Sequence, residues 1–176
     1  MNATVPSPPP LPGLRVHIAV EDTTHCADDA TFARDCRTQA ETLPHAILLS
    51  GGAHECAARS VAALVPALLL EAKGRRLRLH TMRGTAEWEA DPFDLLEQLM
   101  SAAQHASDGP SVPTAAGYVA YEAGRLIERL PGRTQDRMGL PDLLFIFPTR
   151  VRVHDRRTSM VTTYRLDWSD DKGLLT

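Results

Sequence analysis

Polar and apolar positions alternate along residues 14–20 (LRVHIAV), the two-residue period of a strand with one buried face. Residues 24–43 carry a weaker helical pattern, and 46–50 (AILLS) read as a buried strand ended by Gly51 and Gly52. Between 58 and 81 the segments ARSVAALV, ALLLEA and RLRLHT, interrupted at Pro66 and at Lys73-Gly74, predict successive antiparallel strands. The middle segment fits a helix equally well. Asp91 followed by Pro92 is an N-cap and first helical position, and Leu96, Leu99, Met100 and Ala103 follow at helical spacing. A loop at 107–113 leads to a short strand at 117–121, which runs into a helical turn at 122–128. Two strands at 143–148 and 150–155, a polar turn at 156–158 and a last strand at 159–166 complete the pattern. Helices segregated from a mostly antiparallel β-sheet, with a few of them flanking it, define an α+β fold. No internal repeat is present.

Composition narrows the class. A chain of 176 residues with 43% hydrophobic side chains is long enough for one core, so one domain is expected. The formal net charge of -3 argues for no nucleic acid and no membrane as partners, because both require a concentrated basic face. The basic clusters at Arg75, Arg76 and Arg78, and at Arg150, Arg152, Arg156 and Arg157, read as solvated strand faces. Five prolines within the first 14 residues, without an apolar run, mark 1–13 as a flexible lead-in and not a signal or a membrane span. Three cysteines, Cys26, Cys36 and Cys56, form no CxxC pair, which fits a reducing compartment and a cytoplasmic location.

The residues on their own offer little chemistry. His25 beside Cys26, and His54 two residues before Cys56, match no zinc spacing, so no metal is predicted in this chain. Seven histidines are scattered without a nucleophile elbow, and the acidic pairs Asp28-Asp29 and Asp170-Asp171 read as solvated surface. Gly51-Gly52 follows a strand but is not continued by either phosphate-loop pattern. From these features alone the chain is a soluble α+β domain without catalytic machinery.

Two ordered motifs add a resemblance. Residues 117–131 (GYVAYEAGRLIERLP) resemble the G-x-x-x-Y-[DE]-x-x-R-x-x-E-x-L-P signature of the aminodeoxychorismate synthase and anthranilate synthase component I family. Residues 139–144 (GLPDLL) resemble the Leu-Pro-Asp segment that follows it. Upstream, AILLSGG is similar to the family strand ending in Leu-x-Ser, and Arg59-Ser60 falls near the family's Arg-[Tyr/Phe]-[Ser/Asp] segment. The resemblance spans about 43–166 and implies the amino-terminal domain fold of these chorismate-using enzymes over 14–166, with a linker starting at 167–176.

It further implies that the chorismate-binding catalytic domain, with its magnesium, lies outside this chain, so that no cofactor is bound here and the chain alone is inactive. Expected partners are that catalytic domain, reached through an exposed apolar docking face, and a glutamine amidotransferase subunit that supplies ammonia. In such domains one wall of a tryptophan pocket is formed, and by position Leu49, Ser50, Arg59, Ser60 and Val61 would line it. Three departures stand out. Counting back from Pro66 without a gap puts Ala58 at the family's arginine and Arg59 at its aromatic position, and one deletion restores Arg59. Leu49 replaces the glutamate usual in tryptophan-regulated anthranilate synthases, and Glu122-Ala123-Gly124-Arg125 leans toward aminodeoxychorismate synthase. Bland roles are also open: Gly117 and Tyr121 shaping a strand-to-helix junction, Arg125 pairing with Glu128, Ser50 closing a turn. The alternatives are a free-standing amino-acid-binding or regulatory module, and an interaction domain that only recruits the amidotransferase.

Overall fold

A computed structural model describes residues 13–43, 45–50, 58–105, 112–129, 136–171 and 175, with the backbone alone at 104 and 105. Its strands are β1 (Arg15–His25), β2 (Ala46–Leu49), β3 (Arg59–Lys73), β4 (Arg76–Thr81), β5 (Gly84–Glu89), β6 (Ala116–Val119), β7 (Leu143–Asp155) and β8 (Met160–Ser169). Helices α1 (Asp29–Ala40) and α2 (Pro92–His105) and a 3-10 helix (Tyr121–Leu126) accompany them. All pairings are antiparallel, in the order β1-β8-β7-β3-β4-β5, so the α+β expectation holds. β2 adds to the first half of β3 and β6 to the first half of β7.

The proline signals misled the strand count. Pro66 and Pro148 do not end strands; they face each other in the β3–β7 ladder, where neither has an N–H to offer. Opposed prolines leave no donor unpaired, and the register shifts beside them between Pro66 and Leu68. The carbonyls freed at this bend find side-chain donors: Thr149 Oγ1 donates to Val65 O at 2.9 Å and Trp168 Nε1 to Pro148 O at 2.7 Å. Two long continuous strands therefore replace the four expected short ones, and residues 67–72, open to a helical reading, are extended. The last strand runs to Ser169 instead of ending at 166. Trp168, expected in a linker, is buried and packs edge-on against Phe147.

The helices begin where side chains cap them. Asp28 accepts from Thr31 N at 2.7 Å, starting α1 five residues past its expected bound at Thr24, which belongs to β1. α1 then buries Phe32 and Cys36 against Ala62, Leu64 and Val161. At α2, Asp91 Oδ1 accepts from Phe93 N at 3.0 Å, and Leu95, Leu96, Leu99 and Ala103 enter the main core with Leu68, Leu70, Leu77, Leu79 and Trp88. β5 escaped the pattern because Trp88 is its one buried side chain.

Candidate functional site

The signature at 117–131 is in large part structural. A Cβ on Gly117 would lie 2.6 Å from Phe145 Cγ and 2.8 Å from its Cα, so only glycine permits the close approach of β6 to β7. Arg125 donates from Nε to Glu122, three residues back within the same 3-10 helix, which ends at Leu126, before the Glu128 that the sequence offered as a partner. The segment runs on to residue 131, beyond the described residue 129. Tyr121 is 83% exposed and stands in one region of the sequence with the exposed Tyr118, Val119 and Ile127. Met138 and Leu140 are exposed as well, in the strand-entry segment that Lys73 holds: its Nζ donates to Leu140 O at 2.8 Å and pairs with Asp136 at 2.6 Å and Asp142 at 2.7 Å. A cavity of about 450 Å³ lined by Lys73, Glu122, Arg125, Leu126, Asp136 and Asp142 joins the two segments at the β3–β4 turn.

The five pocket residues separate into two groups. Ser60 alternates with Arg59 and Val61 along β3, so they project to opposite faces of the sheet. Leu49 is the cross-strand partner of Val61, shares its face and is largely exposed. On that face Arg59 and Val61 line a cavity of about 290 Å³ together with Val153, Asp155, Thr162 and Tyr164. Arg59 lies 3.8 Å from the Asp155 carboxylate.

Ser50 and Ser60 meet on the other face around Asp29, the first residue of α1. Ser50 Oγ donates to Asp29 Oδ2 at 2.6 Å, and Ser60 also hydrogen-bonds this carboxylate. His154, opposite Ser60 in the ladder, approaches Asp29 Oδ1 through Nδ1 at 3.5 Å and stacks on Phe32 with ring centroids 5.5 Å apart. Ser60 and His154 are buried, and His154 Nε2 has no hydrogen-bond partner among the described residues. Burial pushes the Asp29 carboxyl up, but hydrogen bonds from Ser50, Ser60 and His154 outweigh it and hold the group below the usual carboxylate range.

Asp29 and His154 were missed from sequence. Asp28-Asp29 read as a solvated pair, yet only Asp28 is; one residue further along, the helix turns Asp29 toward Ser50. His154 occupies a polar slot in the alternation RVRVHD that gives no hint of burial. Ser50 does more than close a turn, while Gly51 and Gly52 lie outside the described residues.

Among the described residues no group of three His, Cys, Asp or Glu is placed to hold a metal ion, and no described helix is long and apolar enough to cross a membrane. His54 and Cys56 lie outside the described residues, and Cys26 and Cys36 are buried free thiols. The strand arginines pair locally, Arg78 with Glu87 at 2.6 Å and Arg150 with Glu21 at 3.1 Å, as solvated faces do.

The molecule is thus an antiparallel α+β domain with a polar cluster under one strand end. No family model matches the chain. It is similar to anthranilate synthase component 1 of Cereibacter sphaeroides, 29% identical over 117 residues, which is 62% of this chain and 23% of that protein. The same-named protein of Thermus thermophilus is 35% identical over 83 residues, 46% of this chain and 18% of the relative. That of Mycobacterium tuberculosis is 28% identical over 132 residues, 65% of this chain and 25% of the relative. The chain spans about a quarter or less of the length of these curated relatives, and over that stretch it is anthranilate synthase component I-like.

Proposed function

We propose that the chain is the amino-terminal, non-catalytic domain of a chorismate-aminating synthase, and that it docks on a chorismate-binding catalytic domain. The observation that carries this reading is the similarity to several anthranilate synthases component 1 over up to 65% of the chain but no more than 25% of the relatives. The exposed Tyr121, Ile127, Met138 and Leu140 supply the apolar surface such docking requires.

Ammonia would reach the catalytic domain from a glutamine amidotransferase subunit, and magnesium would be held by that domain. On its own the chain would contribute one wall of a tryptophan-type pocket through Ser50 and Ser60. The relatives' names favour anthranilate as the product. The Glu122-Ala123-Gly124-Arg125 sequence leans toward aminodeoxychorismate synthase, and Leu49, in place of a glutamate, argues against tryptophan feedback. Assaying this domain together with the chorismate-binding domain of its own organism that it docks on, with chorismate, ammonia and magnesium, decides. Anthranilate fluorescence supports the first reading and 4-amino-4-deoxychorismate the second, while turnover that is indifferent to removal of residues 1–171 would remove the structural role proposed here.

A further inference from the structure

Among the described residues, β1, β2, β5 and β6 each have one side without a neighbouring strand. The backbone N–H and C=O groups along such a side are a template for any extended segment, and folded proteins blunt them with charge, bulges or cover. Three of these strands are blunted in that way. β1 carries Arg15, Glu21 and Asp22 and shifts register between Val20 and Asp22. β5 carries Glu87 and Glu89, and α1 lies over β2, packing Phe32 and Cys36 with Ala46 and Leu48. β6 has none of these devices. From residue 112 to 121 the chain has no charged side chain, and Tyr118 and Val119 are 41% and 48% exposed.

The ladder fixes which groups β6 leaves open. Ala120 N donates to Asp142 O at 2.7 Å, and Tyr118 and Ala116 stand opposite Leu144 and Ile146 in the same register. Inward and outward positions alternate along an antiparallel strand, so Ala116, Tyr118 and Ala120 bond β7 while the N–H and C=O of Gly117 and Val119 point away from it. Those outward groups have no partner among the described residues.

We propose that the partner docks by strand addition, an extended segment of the chorismate-binding domain pairing with the outer edge of β6 through the backbone of Gly117 and Val119. This rests on the docking proposed above and assigns how the partner is held. The edge runs directly into Tyr121 and Ile127, the exposed apolar side chains given to that domain, so one partner covers both. The matched stretch is at most 25% of the relatives, and the remainder of such a protein has ample chain for one more strand. An uncharged edge selects an uncharged, apolar segment, since a charged one would lose water without gaining a counter-ion.

Amide hydrogen exchange of the 176-residue chain, alone and with the chorismate-binding domain of its own organism, tests this. The Gly117 and Val119 amides should exchange freely in the chain alone and slow at least about tenfold in the complex. Val119→Pro removes an outward donor and no bond to β7, so it should weaken the complex at least about tenfold, whereas Val119→Thr, which keeps the N–H, should bind within about twofold of the wild type. The wild-type exchange alone is decisive where the proline variant does not fold. A complex in which both amides still exchange freely, or one indifferent to Val119→Pro, overturns strand addition and leaves the docking standing. Protection that grows with the concentration of the chain alone makes a second copy the occupant and overturns the assignment to the catalytic domain. Absence of any complex overturns the docking and the strand addition together.

Discussion

Single residues account for the least obvious features of this chain. Val65 adopts φ 55°, a left-handed conformation that a β-branched side chain tolerates poorly, just before the opposed prolines. Replacing it with glycine should stabilise the protein by about 0.5–1 kcal/mol, the strain relieved less the backbone entropy lost, as read from urea midpoints. Gly117→Ala should do the opposite, by about 1–3 kcal/mol, because the added methyl meets Phe145 Cα and neighbouring backbone that has nowhere to move. Asp29 makes acid stability a readout of the polar cluster. Its folded pKa lies below the unfolded value, so its contribution is fully present above about pH 4 and is lost as pH falls through the folded value. Asp29→Asn should therefore flatten the stability profile below about pH 4 and leave its slope near neutrality unchanged.

At the scale of elements, the disputed end of β8 is a direct test. If 167–169 were linker, cutting the chain after Leu166 would cost nothing; with Trp168 buried on Phe147 and bonded to Pro148 O, the cut should cost about 3–5 kcal/mol in chemical melts, like a core tryptophan truncation. Most of the sheet was legible because alternation in LRVHIAV and RLRLHT follows the buried face directly. The long strands were not, since proline is a break signal locally and only the partner strand shows that Pro66 stands opposite Pro148. The candidate site was half legible for the same kind of reason. Ser50 and Ser60 lie on recognisable strands, but their meeting with Asp29 and His154 depends on α1 packing beneath β3, a contact no local pattern encodes. Arg59 and Val61 were grouped with them because sequence neighbours look like pocket neighbours, and strand alternation separates them.

For the molecule as a whole, the account turns on an exposed apolar surface beside a charge-locked loop. Lys73 binds Asp136 and Asp142, and its ammonium is held above the usual lysine range by the hydrogen bonds it donates to these two carboxylates. This fixes the segment carrying Met138 and Leu140 against the β3–β4 turn, close to the 3-10 helix that presents Tyr121. Titrating this chain with the chorismate-binding domain of an anthranilate synthase component I, by calorimetry at matched salt, measures the docking directly. The account predicts a saturable one-to-one association that weakens at least about tenfold in a Tyr121→Asp, Ile127→Asp double variant whose thermal midpoint is unchanged. No association, or an association indifferent to those two substitutions, would contradict it.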